Sequence, residues 1–254
     1  MYSEERQHVI RQIIKSEGKV SVNKLSDKLK VSEVTIRRDL ADMEEQGLLK
    51  RTFGGAVSVE LVTKAQPYNI KKGQHLEEKQ AISKRAAQFL TDGMTVFVDA
   101  GTTTNFLVPF ISKKRDLTVV TVDLQIALQL SDTPSTDIYV VGGRLSNSSK
   151  SVNSVDSVLT VKGFHFDLSF IGCDAFNLST FETDSETKAQ IKKAAIDSSS
   201  LRTVLSDSSK FNKHSLRNFA TLDDLDYVVT DSGIAEFPSF LKKEEKSKFI
   251  IGGF

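Results

Sequence analysis

Six consecutive residues, Asp99, Ala100, Gly101, Thr102, Thr103 and Thr104, have the make-up of an anion cradle. The glycine lets backbone come close to a ligand, while hydroxyls and the unpaired N–H groups of a helix start offer donors to negative charge. A phosphate suits them. Three further polar clusters recur along the chain: Gly142, Gly143 and Arg144; Cys173 and Asp174; and Asp207, Ser208, Ser209 and Lys210. Each follows a stretch that reads as a strand, and in open α/β sheets ligands sit beyond the carboxyl ends of strands. Taken singly, Thr102 reads as a helix cap and the glycines as strand ends. Four clusters converging on one rim favour a ligand site.

Other chemistries fit less well. Asp123 lies 22 residues after Gly101, near the spacing of a ribose-binding acid, but Gly101 stands alone where a dinucleotide fingerprint needs three glycines. A P-loop is absent. The histidines, His8, His75, His165 and His214, fall in no catalytic pattern, and His165 between Phe164 and Phe166 reads as a packing residue. No Cys/His spacing suggests a metal, so neither metal nor cofactor is expected. Cys173, the single cysteine, reads as a small buried residue.

The first sixty residues carry a different chemistry. Ser32 caps a helix in which Ile36, Leu40 and Met43 step along one face, leaving Glu33, Thr35, Arg37 and Arg38 on the others. A short helix over 22–30 precedes it, and the pair meets the needs of a helix-turn-helix whose second member enters the major groove. Arginine there suits guanine, and small hydroxyls suit phosphates or bases. The stretches 48–52 and 56–59 flank Phe53, Gly54 and Gly55, so they form a hairpin with basic Arg51 near its tip. That hairpin is a wing.

These groups need elements to position them. Ser3 reads as the N-cap of a first helix with Val9, Ile10, Ile13 and Ile14 on its apolar stripe, ending near Gly18. Residues 61–75 show no clear period and read as a linker. Beyond them, helices over 77–90, 102–113, 125–130, 154–161 and 186–197 intersperse with strands over 94–99, 117–123, 137–141, 168–172, 203–206 and 227–230. Such alternation means a parallel sheet covered by helices. The fold class is therefore α/β, with a DNA-binding domain over 1–60, the linker over 61–75 and an effector and oligomerisation domain over 76–254. The 254 residues, 39% hydrophobic and 26% charged, are ordinary globular composition, and a net charge of +1 supplies no bulk basic surface. No apolar run approaches a membrane span, and the start of the chain lacks a secretory signal, which points to the cytoplasm.

The run VSEVTIRRDLADMEEQGLLKRTFGGAV resembles the N-terminal signature of the DeoR family of bacterial transcription regulators. The resemblance implies a winged helix-turn-helix in which Ser32, Glu33, Thr35, Arg37 and Arg38 face DNA and Arg51, Gly54 and Gly55 supply the wing. DAGTTT, VVGGRL, IGCDAF and SDSSKF are similar to the effector domain of the same family, which has a fold similar to ribose-phosphate isomerases and CoA-transferase-like proteins. It implies a sugar-phosphate site drawn from Asp99, Gly101, Thr102, Thr103, Thr104, Gly142, Gly143, Arg144, Asp174, Lys192, Asp207 and Lys210. One residue departs from the pattern: Lys188 stands where the family usually has glutamate, which favours a more anionic ligand or removes a contact. The expected protein is a repressor of a sugar-metabolism operon that binds double-stranded operator DNA as a homodimer or homotetramer and answers to a sugar phosphate. The alternative is a sugar-phosphate isomerase-like enzyme with Asp174 as base and Lys192 or Lys210 steadying the enediolate.

Overall fold

Ile10, Ile13 and Ile14 fall on one face of the first helix, α1 (Ser3–Glu17), and that face is buried. The computed structural model describes residues 3–17, 19–46, 48–52, 54–58, 67–236 and 247–253. The chain divides into two compact units, one carried by residues 1–63 and the other by most of the remainder.

In the first unit α1 is followed by β1 (Lys19–Ser21), α2 (Val22–Leu29), α3 (Glu33–Glu45), β2 (Leu49–Thr52) and β3 (Gly55–Ser58), with the strands antiparallel in the order β1-β3-β2. Ser21 caps α2, Lys30 ends it in the left-handed conformation at φ 56°, and Ser32 caps α3. The core joins Ile10, Leu25, Ile36, Leu40, Met43 and Leu49 from all three helices and the wing. Ser3 is not the cap expected of it: it is the first helical residue, and its hydroxyl donates to Asp39 at 2.8 Å. The expected helix ends at Gly18 and Gly47, and the hairpin residues Phe53 and Val59, lie outside the described residues.

The second unit opens with α4 (Tyr68–Lys72), inside the stretch expected to be linker, and α5 (Leu76–Ala86). Five residues are too few to show a helical period. Then come β4 (Thr95–Val98), α6 (Thr102–Asn105), α7 (Val108–Ile111), β5 (Leu117–Thr121), α8 (Leu124–Leu130) and β6 (Thr136–Val140). The single helix expected over 102–113 is broken, and Pro109 in the first turn of α7 explains the restart. The chain continues through the hairpin β7 (Leu145–Ser146) and β8 (Ser151–Val152), then α9 (Val155–Lys162), β9 (Phe166–Gly172), β10 (Ala175–Phe176), β11 (Phe181–Thr183), α10 (Glu186–Asp197), β12 (Ser199–Leu205), β13 (Arg217–Ala220), β14 (Tyr227–Asp231) and β15 (Phe249–Gly252).

Seven strands form one parallel sheet in the order β15-β14-β12-β9-β4-β5-β6. Successive residues serve opposite faces: Val96 and Val98 pack with Ile82, Ala86 and Ile111, whereas Phe97 joins Val161, Phe166 and Ala194. From β4 the chain moves outward to β6, returns through α9, and builds the other half of the sheet from β9. The strand order therefore reverses between β4 and β9, and a crevice at their carboxyl ends is the site such a sheet provides. The antiparallel sheet β10-β11-β13, the β7-β8 hairpin and β15 went unread in the sequence. No helix of the described residues is long and apolar enough to cross a membrane.

Candidate functional site

At that reversal point a cavity is lined by residues 99–104, Gly172, Cys173, Asp174, Lys192 and Lys210, together with Lys188. The fold thus brings together three of the four clusters singled out in the sequence. Asp99, at the end of β4, accepts from the Gly172 backbone N–H at 3.0 Å and pairs with the buried Lys192 ammonium, which also donates to the Gly172 carbonyl at 2.8 Å. This knot ties the ends of β4 and β9, the strands between which the topology reverses. Asp123 caps α8 with one oxygen, accepting from Gln125 N at 2.7 Å and Ile126 N at 3.3 Å, and accepts from Gly101 N at 3.2 Å with the other. Burial pushes its pKa up to about 6 against the pull of those backbone donors.

Gly101 N–H is therefore occupied, and the cradle rests on residues 102–104, whose backbone N–H groups begin α6 with no helical carbonyl behind them. Thr104 donates its hydroxyl to the Gly101 carbonyl at 3.0 Å. Thr103 is 3% exposed, its carbonyl accepts from Ser83 Oγ at 2.9 Å, and its hydroxyl has no hydrogen-bond partner among the described residues. A buried hydroxyl without a partner is costly.

Asp174 accepts from Lys71 Nζ at 2.5 Å on one oxygen, and from Thr183 Oγ1 at 2.9 Å and Asp184 N at 3.2 Å on the other. Burial raises its pKa, but Lys71, Lys192 and Lys210 together hold it well below the usual carboxylate range. Such a group is a poor general base at neutral pH, which weighs against the isomerase alternative. Lys210 donates to the Cys173 carbonyl at 2.9 Å and lies 3.5 Å from Asp207. Burial works against its charge, and Asp207 with its neighbours raises its pKa nonetheless.

Four expected residues do not line the cavity. Asp207 is buried behind Lys210, where it orients that lysine and does not line the wall. Gly142, Gly143 and Arg144 also fall outside the lining. Gly142 accepts from Ser157 Oγ at 2.8 Å, and Gly143, at φ 136°, is a glycine because a Cβ would collide with the hydroxyls of Ser154 and Ser157. Arg144 is exposed. Conversely, Tyr68 and Lys71 of α4, Ser148, Ser149, Ser151 and Asn153 around the β7-β8 hairpin, and Thr183 and Asp184 line the cavity without having been read as site residues. The only available signal was the run of hydroxyls over 146–154.

The first unit presents a separate surface. Ser32 Oγ accepts from Thr35 N at 3.2 Å and lies 2.9 Å from Thr35 Oγ1, while Glu33 and Arg37 form an exposed i,i+4 ion pair at 3.2 Å. Arg38 is exposed, and so is Val34, at 77%, which shares the face of Arg37 and Arg38 and can meet a thymine methyl. The neighbouring Asp39 turns inward instead. It is 2% exposed and accepts from Arg6 Nε at 2.7 Å and Arg6 Nη2 at 3.0 Å, pinning α3 to α1. Arg51 has an exposed side chain and a backbone N–H held by Glu44 Oε1 at 2.8 Å. Gly54 needs its φ of 100°, and its carbonyl accepts from Val22 N at 2.9 Å. Gly55, expected at the DNA face, is instead buried where a Cβ would collide with the Val20 carbonyl of β1.

Residues 6–62 match the family described as DeoR-like helix-turn-helix domain, and residues 74–232 match the DeoR C terminal sensor domain. The chain is 34% identical to the HTH-type transcriptional regulator GlpR of Haloferax volcanii, over 90% of its own length and 89% of the relative's. It is 31% identical to the transcriptional repressor AccR of Agrobacterium fabrum, over 98% and 97%. Among solved structures, D-ribose-5-phosphate isomerase in complex with phospho-erythronic acid is similar over 53% of each chain, with a TM-score of 0.40 and 18% identity.

Proposed function

This chain belongs to the DeoR family of transcription regulators, and we propose that it represses a sugar-metabolism operon, its hold on double-stranded operator DNA set by a phosphorylated sugar in the strand-end cavity. The observation that carries the reading is the lining itself. Lys71, Lys188, Lys192 and Lys210 meet Asp99, Asp174 and Asp184 there, leaving one positive charge in excess beside the Thr103 hydroxyl and the free N–H groups of α6. A dianionic phosphate supplies what that arrangement lacks, and the hydroxyls of Ser148, Ser149 and Ser151 suit a polyol.

In this reading residues 102–104, Lys192 and Lys210 hold the ligand, Asp99 and Asp207 orient those lysines while Asp174 holds Lys71, and Ser32, Thr35, Arg37, Arg38 and Arg51 meet DNA. Lys188 donates to Asp184 at 2.9 Å, so the base in place of the usual glutamate adds to the positive lining. One winged helix reads few bases, so two or more copies bind together, and a chain lacking residues 1–60 stays oligomeric in light scattering. DNA and phosphorylated sugars place this work in the cytoplasm.

The test is a melting screen against sugar phosphates followed by release from the DNA upstream of the protein's own gene. A compound at 100 times its dissociation constant adds about 2.7 kcal/mol to stability. If no sugar phosphate shifts the melt or the DNA affinity, the reading is wrong.

A further inference from the structure

The cavity's lysines are not equally committed. Lys192 spans Asp99 and the Gly172 carbonyl with 6% of its side chain exposed, and Lys188 and Lys210 are each 21% exposed beside Asp184 and Asp207. Lys71 is 30% exposed and gives one of its three donors to Asp174. Asp174 does not depend on that bond alone, because its second oxygen accepts from Thr183 and from the Asp184 backbone. An incoming dianion can therefore draw Lys71 away while Asp174 keeps two donors.

The helix that carries Lys71 is small and tied mainly to the cavity's own walls. Tyr68 of α4 is buried in the lining, and its N–H donates to the Ser148 carbonyl at 2.9 Å. Lys79 of α5 donates to the Lys71 carbonyl at 2.5 Å and the Gln74 carbonyl at 2.6 Å, gripping the far end of α4. In the sequence, the wing strand β3 ends at Ser58 and α4 begins at Tyr68, so α4 is the first described element after the DNA-binding unit.

We propose that Lys71 binds an anionic oxygen of the phosphorylated ligand, leaving Asp174, and that α4 thereby registers the occupancy of the cavity. The inference rests on the sugar-phosphate reading and adds to it the residue that distinguishes filled from empty. A ligand shifts an equilibrium only through contacts that differ between two states. Lys71 makes such a contact, exchanging a carboxylate of the protein for a phosphate oxygen of the ligand.

The chain has no tryptophan, and Ile70 of α4 is 53% exposed, so Ile70→Trp installs a single tryptophan on the helix, excited selectively over the tyrosines. Ribose 5-phosphate, glucose 6-phosphate, fructose 1-phosphate and glycerol 3-phosphate are titrated into the full-length variant by calorimetry and fluorescence. The expected result is a saturable emission shift with at least one compound. With Lys71→Met added, the same compound binds at least tenfold more weakly, and saturation no longer moves the emission. Where Lys71→Met does not bind at all, Lys71→Arg, which keeps the cation, restores binding and shift; failure to restore them overturns the proposal. Equal affinity and equal shift in Lys71→Met also overturn it and leave the sugar-phosphate reading standing. If none of these compounds, nor any other sugar phosphate, binds the parent chain in calorimetry, it is that reading which falls.

Discussion

Thr103→Val separates a binding hydroxyl from a structural one, because the two roles give opposite signs. The hydroxyl is buried and has no partner among the described residues. Burying such a group costs about 1 to 3 kcal/mol, so removing it leaves the empty protein as stable as before or more so. Each kcal/mol is roughly 2 to 4 °C in melting temperature for a unit of this size. Valine keeps the branched shape, and Ser83 still holds the backbone through the Thr103 carbonyl. A phosphate in the cradle accepts from that hydroxyl, and a hydrogen bond to a charged group is worth about 1.5 to 3 kcal/mol, roughly 10- to 150-fold in affinity. Calorimetry with the sugar phosphate found in the melting screen reads the second quantity and scanning calorimetry the first. Thr104→Val is the control, since its hydroxyl already serves the loop at Gly101, and it should lose about 1 kcal/mol of stability. Unchanged ligand affinity in Thr103→Val, or a clear drop in stability without ligand, refutes the reasoning.

In the first unit, Arg38→Ala should leave the melt unchanged while weakening specific DNA binding by about 1 to 3 kcal/mol, or lowering the salt slope by about one if it meets phosphate; its neighbour Asp39→Ala should cost about 3 to 5 kcal/mol of stability by taking away the carboxylate that Arg6 grips with two nitrogens. Gly55→Ala forces a methyl against the Val20 carbonyl and should lower the urea midpoint by the equivalent of about 1 to 3 kcal/mol, displacing the wing before it touches DNA. Lys79 is buried, and desolvation with the nearby Lys210 charge lowers its pKa to about 8. Its folded value is below the unfolded one, so between about pH 8 and 10.5 the unfolded chain binds more protons and stability rises with pH. Denaturation at pH 8 and pH 10 should show that rise in the parent, by about 3 kcal/mol at most, and not in Lys79→Met.

What the sequence disclosed and what it hid follow from the range of the interactions. Helix α3 was legible because Ser32, Ile36, Leu40 and Met43 lie within a few turns of one another, and α10 because its spacing runs a full twelve residues. The cradle was legible because its donors are consecutive. Lys71 was hidden for the opposite reason: its partner Asp174 is 103 residues away, and the helix that presents it is five residues long. The two-residue strands β7 and β8 likewise offer no period, yet they bring the hydroxyls over 148–153 to the cavity.

The glycines show a limit of another kind. In sequence Gly54, Gly55, Gly101 and Gly143 look alike, each beside polar or basic residues and each suited to a close approach. In the fold they part. Gly54 takes a left-handed turn, Gly55 lets β1 approach β3, and Gly143 makes room for two serine hydroxyls of α9 and its cap, whereas a Cβ at Gly101 would meet only the Thr104 hydroxyl, at 3.4 Å, and its N–H serves Asp123 as another residue's could. A glycine in a sequence does not say which of these demands it meets. The lysines, by contrast, carry their purpose in their charge: a cation drawn out of bulk water needs an acceptor, and Asp99, Asp174, Asp184 and Asp207 supply one apiece for Lys192, which is buried, and for the half-buried Lys71, Lys188 and Lys210. On the sugar-phosphate reading, pairing of this kind keeps Lys188, Lys192 and Lys210 aimed, so that a phosphate meets those donors already in place and loses little affinity to ordering them, and Lys71 alone changes partner.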